Sequence, residues 1–366
     1  MSTHWVVLVA ALAVGIGGCE GSLSRDDAGA TGADGATAPR PDAGTPSTDS
    51  ATPPADASTT TRPCSAACGE TALCDATADR CVCIPGYAAA GADCVATPVS
   101  DPTSRGRDEV CNAWRTGRMS RGGPAFDNPS ASACGPGSLP FAAHMEALSY
   151  LNTYRWLSGV GPVTLNVDPT VPQAQQECAV LQAANSDISH SPPMDWLCWT
   201  ADGAAAAGGS YIAWGFASAS ATVDGYIRET QARLSHRRGL LPIGRANIYF
   251  GHFQNGGCCR YGGVGAGLAS DPDYIFYPNA GFAPIELFGG KWSVMRGRGD
   301  VASFTARVFD DASGAEMPVA TVESFDDFTS WTQTGWSPTD GVTYRVELTR
   351  ADASMVVYRT TPTSCL

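Results

Sequence analysis

The apolar positions of this chain change period several times, and each change marks an element. Leu148, Leu151, Asn152 and Arg155 recur at helical spacing, so Asn152 and Arg155 share a face with two leucines. Gly159 and Gly161-Pro162 close that helix. A second helix is predicted from Asp168 as N-cap and Pro169 at the first helical position. It runs through Ala174, Cys178 and Leu181 and ends near Ser189-His190-Ser191-Pro192-Pro193. A third spans 223–234. Beyond it, 247–253, 264–269 and 274–277 have the β-branched and aromatic content of strands. Around Ser303-Phe304-Thr305-Ala306 and Thr343-Tyr344-Arg345-Val346 the pattern alternates with period two, and 355–359 is another candidate strand. Helices followed by short strands predict an α+β protein. The last segment, 284–366, reads as a small β-sandwich of immunoglobulin-like outline, or as an extension of the preceding sheet.

The first sixty-odd residues follow a different pattern. Residues 6–17 are apolar but too few to span a membrane, and they end in Ile16-Gly17-Gly18-Cys19. That ending resembles a bacterial lipobox, which implies removal of 1–18 and acylation of Cys19. The leader Met-Ser-Thr-His-Trp carries no Lys or Arg, and the other reading is an ordinary cleaved signal peptide. Residues 19–63 are Ala, Asp, Thr, Gly, Pro and Ser with almost no large apolar side chain, the composition of a disordered tether. The expected location is therefore outside the cytoplasm, on a bacterial outer membrane or cell surface.

With 366 residues there is room for two or three domains. A net charge of -13 argues against a nucleic-acid partner, and fourteen cysteines suit an oxidising compartment. Six of them fall in 64–94, with one residue between Cys81 and Cys83 and Pro85-Gly86-Tyr87 after them. This spacing resembles an EGF-like module, and the resemblance implies pairs Cys64–Cys74, Cys68–Cys81 and Cys83–Cys94. So short a segment needs such cross-links in place of a core. Residues 95–139 form a linker and an extended lead-in, which a Cys111–Cys134 bond would close. Cys178–Cys198 makes a second plausible pair. Either Cys258 or Cys259 is expected to bond Cys365, leaving one thiol over.

The Asn152-x-x-Arg155 helix, a helix ending in Ser189-His190, Tyr226-x-x-Glu229 and Ser235-His236-Arg237 before a Gly-rich strand occur in that order. Together they resemble the CAP superfamily of SCP-like, cysteine-rich secretory and pathogenesis-related proteins. The resemblance covers roughly 140–283 and implies an α-β-α sandwich with a central cleft. It places His190, His236 and Glu229 in that cleft, near Asn152 and Arg155, with zinc a possible occupant held by the two histidines. One feature departs from the family. Its second carboxylate lies in a Gly-Glu-Asn-Ile-Ala-like motif, which reads Gly209-Ser210-Tyr211-Ile212-Ala213 here. Two imidazoles and one carboxylate could still hold zinc with water in an open position, but the ligand count favours hydrogen-bonded structural histidines. Asn152 and Arg155 read as structural residues, and His144 and His252 as surface or packing residues without motif support. No Gly-x-Ser-x-Gly elbow or Cys-x-x-Cys redox spacing occurs around the candidate residues. The expected function is binding of a lipid, protein or other ligand. The alternative is metal-assisted hydrolysis with Glu229 as base, and a third reading is adhesion, with the modules as a stalk.

Overall fold

The computed structural model describes residues 71–365, apart from 76–78, 92, 122–133, 167–169, 231–232, 264, 266–269, 299–303 and 326. The leader, Cys19, the tether, Cys64, Cys68, the Asp168-Pro169 cap and most of the 264–269 strand lie outside the described residues. What is described mixes helices and strands as expected.

Two hairpins come first. β1 (Ala72–Asp75) pairs with β2 (Arg80–Cys83), and β3 (Tyr87–Ala90) pairs with β4 (Asp93–Ala96). Cys83–Cys94 joins the two hairpins, and Cys81 is disulfide-bonded as well. The lead-in is not extended throughout. α1 (Arg107–Gly117) forms there because Val110, Cys111 and Trp114 bury one helical face.

The next unit is layered. α2 (Phe141–Leu157), β5 (Thr164–Leu165) and α3 (Thr170–Asn185) lead to α4 (Ala201–Gly208) and β6 (Tyr211–Trp214). The Ala-rich stretch Ala201–Gly208 is a helix. Its alanines favour that state, and the Thr200 side chain caps it by accepting from Gly203 N–H. α5 (Ala219–Ile227), α6 (Ser235–Leu240), β7 (Asn247–Phe253) and β8 (Gly256–Tyr261) complete the unit. The sheet order is β5-β7-β8-β6. α3 packs on β7 and β8, while α2 and α5 pack on each other and touch β5 and β7. Gly251 allows that closeness, since a Cβ there would overlap the Gln175 carbonyl of α3.

Strand alternation explains the cysteine pairing, which differs from the sequence expectation. Neighbouring residues of β8 face opposite ways. Cys258 lies in the small core with Ala179, Ile212 and Phe253 and bonds Cys178 of α3. Cys259 joins the main core on the other face and stays a free thiol. Cys178–Cys198 and Cys111–Cys134 therefore do not form. Cys198 bonds Cys134, and Cys111 of α1 bonds Cys365, so neither Cys258 nor Cys259 reaches Cys365. Burial pushes the Cys259 thiol pKa well up. Peptide mapping without reduction is expected to recover Cys178 joined to Cys258, and a thiol reagent to label Cys259 only after unfolding. Replacing Cys178 and Cys258 together by Ala is expected to cost about 2–4 kcal/mol in a denaturant titration. Recovery of a Cys178–Cys198 peptide would contradict this assignment.

The remaining strands stack in two sheets. They are β9 (Tyr274–Tyr277), β10 (Gly281–Pro284), β11 (Trp292–Arg296), β12 (Phe304–Asp310) and β13 (Glu316–Met317), then β14 (Val319–Phe325), β15 (Phe328–Gln333), β16 (Tyr344–Arg350) and β17 (Met355–Thr363). One sheet runs β14-β15-β11-β9 and the other β10-β17-β16-β12-β13. Aromatic pairs fill the space between them. Phe276 stacks on Tyr358 at 4.1 Å, and Trp292 meets Tyr344 edge-on at 6.3 Å. Tyr274–Tyr277 pairs with β11, so this sheet system starts near residue 274, ten residues before the boundary at 284 read from the sequence. A continuous core of fully buried residues runs from Leu148 and Leu151 through Phe250 to Trp292 and Trp331. Each buried Leu or Phe in it contributes about 1.5–3 kcal/mol.

Candidate functional site

The short segment between α5 and α6 brings Glu229 and His236 together. His236 Nδ1–H donates to Glu229 Oε2 at 2.8 Å, and the Arg237 backbone N–H donates to Glu229 Oε1 at 3.0 Å. Glu229 is only 8 % exposed. Both carboxylate oxygens thus have a partner, which is what makes burial of the group tolerable. The pairing leaves Nε2 as the unprotonated nitrogen of a neutral His236 ring.

Aromatic rings enclose this pair. His236 stacks on Tyr226 with centroids 4.3 Å apart and meets Tyr211 edge-on at 6.1 Å. The Tyr211 ring lies where a Cβ on Gly239 would be. The Tyr226 hydroxyl is buried without a hydrogen-bond partner. Burial, with Cys259 and Glu229 nearby, raises its pKa well above the usual phenol range. Ser210 is buried, and its hydroxyl donates within reach of Gln175 Oε1 and the Ala206 carbonyl. It therefore ties α4 to α3.

His190 has a different setting. Its Nδ1–H donates to the Ala207 carbonyl at 2.9 Å at the end of α4, and the residue is exposed. Among the described residues, no three His, Cys, Asp or Glu side chains are grouped so as to hold a metal ion. Among the described residues, Asn152 and Arg155 line neither of the hollows described below and bond to backbone instead. Asn152 forms a two-bond clamp with the Val163 N–H and carbonyl, each bond 2.9 Å. Arg155 donates to the carbonyls of Gly161, Leu240 and Pro242 at 2.8–3.0 Å. Both are buried, and their hydrogen-bonding groups are committed to backbone. His144 and His252 are packing residues. His252 is wholly buried, and its Nε2–H donates to the Gln254 carbonyl.

Two hollows lie elsewhere. One of about 560 Å³ is lined by Tyr274, Phe276, Asn279 and Tyr358, and one of about 470 Å³ by Asp224, Arg228, Tyr277 and Glu286. Neither reaches His190, Glu229 or His236. At the second hollow, Asp224 accepts from Arg118 and from the Tyr154 hydroxyl. Burial alone would raise its pKa, but these bonds and the nearby guanidinium groups outweigh burial and lower it. Sequence reasoning missed Tyr226, Tyr211 and Arg237 as neighbours of the dyad. Their spacing was visible, but their convergence depends on how α6 folds back on α5. No family model, curated protein or solved structure matches this chain.

Proposed function

We propose that this chain is an exported, lipid-anchored bacterial surface protein with a CAP-like domain that binds a lipid or protein ligand. The order of the Asn152, His190, Glu229 and His236 motifs supports the CAP-like reading, as does a sheet with helices on both faces. The Cys83–Cys94 bond between the two hairpins agrees with an EGF-like module ahead of that domain. The cysteine bonds suit an oxidising compartment, and the Ile16-Gly17-Gly18-Cys19 ending supports the anchor. No helix among the described residues is long and apolar enough to cross a membrane.

The observation that carries binding over catalysis is the setting of His236. Tyr211 and Tyr226 crowd its ring where a second carboxylate and an open position would be needed. One feature favours the alternative of a metal-assisted hydrolase. The Glu229–His236 bond orients an imidazole whose free nitrogen could bind zinc, with Glu229 alongside as base. Calorimetric titration with zinc separates the readings. The wild type and a His190→Ala plus His236→Ala variant are both expected to give no saturable heat. Tight binding that the double variant loses would replace the binding reading with the hydrolase.

A further inference from the structure

The loop between α3 and α4, residues 186–200, holds several large apolar side chains in water. Met194 is 80 % exposed, Leu197 66 % and Ile188 49 %, with Trp196 and Trp199 half-buried beside them. Single exposed apolar residues are ordinary, but a group of them on one loop marks a contact surface.

This loop is firmly braced. Ser189 N–H donates to Gln182 Oε1 at 2.9 Å, and Gln182 Nε2 donates back to the Ser189 carbonyl. Asn185 makes the same two-way clamp with Leu197, both bonds 3.0 Å, and so closes the loop at its base. His190 ties the middle to Ala207, and Cys134–Cys198 fixes the far end. A loop held in this way loses little further freedom when its apolar side chains are covered.

The chain's own chemistry selects a lipid surface as the cover. Ahead of the described residues stand the apolar run 6–17, Cys19 and a polar stretch to Pro63, which on the anchored reading keep the folded body beside a bilayer. Aliphatic and thioether side chains with flanking tryptophans suit the membrane interface. The loop contains no Lys or Arg but carries Asp187 and Asp195, and the chain's net charge is -13, so anionic headgroups would repel it. Asp187 accepts from the Ile188 N–H within the loop itself.

We propose that residues 186–199 seat on the zwitterionic bilayer carrying the Cys19 anchor, with Ile188, Met194 and Leu197 below the headgroups. The inference rests on the anchored reading, and one experiment tests both. The full acylated chain is reconstituted in phosphatidylcholine vesicles with an environment-sensitive fluorophore on Met194→Cys. A control preparation carries it on Met355→Cys in β17, a residue 56 % exposed. Blue-shifted emission and several-fold weaker iodide quenching are expected at position 194 and not at 355. Adding Ile188→Ser and Leu197→Ser should return position 194 to water-like emission. Chains that float with the vesicles but show water-like emission at 194 would overturn the seating and leave the anchor standing. Chains that do not float overturn both. Shielding that follows protein density rather than lipid assigns the loop to a second copy and also overturns the proposal.

Discussion

Lowering the pH from 6.5 to 4 is expected to remove about 3 kcal/mol of stability for each of His144 and His252. Burial pushes both imidazoles down to about 4. Nδ1 of His144 is buried without a partner, and His252 is wholly buried with Nε2–H on the Gln254 carbonyl, so a proton taken up by either ring would add a charge to the interior. In the unfolded chain the same rings protonate near the ordinary histidine value. Between those two values the unfolded chain holds more protons, so stability rises with pH. It is complete above about pH 6.5 and is lost as the pH falls toward 4. Urea titrations at several pH values across this window measure the slope. Replacing His144 or His252 by Gln should flatten it by up to about 1.4 kcal/mol per pH unit, whatever the replacement does to stability at pH 7. A slope that survives both replacements would show that other groups set the acid limit.

Replacing Arg237 by Met is expected to cost about 3–5 kcal/mol. The guanidinium is wholly buried on α6. It donates to the carbonyls of Ile227 and Glu229 on one side and of Lys291 on the other, with Ser293 Oγ 3.3 Å away. It also lies 3.8 Å above the Tyr277 ring. Met would fill most of the volume but remove the guanidinium donor from three carbonyls. Lys would keep the charge, but its compact ammonium cannot span the three carbonyls as the planar fork does, so Arg237→Lys should recover only a minor part. Because the bonds join the helical unit to the stacked sheets, the variant should also unfold less cooperatively. Amide hydrogen exchange across a urea series reports separately on β11 and β15 in the sheets and on α2 and α3 in the helical unit. Their transitions should coincide in the wild type and separate in Arg237→Met. A loss under about 1 kcal/mol would mean that water replaces the guanidinium at those carbonyls.

How much of this was legible depended on whether the information was local. β16 alternates along its first five residues, and β12 does so up to Val308, because each has one face inside the stacked sheets, and that pattern was visible. β8 was not, because Gly-Gly-Cys-Cys-Arg lacks strand-like side chains and its pairing is imposed by β7 and β6. α4 carries too little contrast between its faces to show helical periodicity. β9 resembles the strands before it in composition, yet its hydrogen bonds go to β11. In the candidate site, the nearness of Glu229 and His236 was expected only from the family resemblance, although just seven residues separate them. The place of His190 could not be read, since it depends on a loop whose course Asn185, Gln182 and Cys198 decide jointly. Cysteine partners were hidden for a related reason: only a known strand orientation distinguishes Cys258 from Cys259.

The Cys111–Cys365 bond also sets a load path. Tension applied to the chain ahead of α1 can extend the residues up to Cys111 and then meets a covalent link to the end of β17. Arg115 reinforces the same junction by donating to the Cys365 carbonyl. Everything between the two cysteines, both sheet systems and the Glu229–His236 pair included, then lies inside a closed loop that carries no stretching force. The folded body would transmit such a force through α1 and the tip of the last strand. Its sheets would not be peeled open from that end, and the full extension of the chain would stop at Cys111 for as long as the bond stays oxidised.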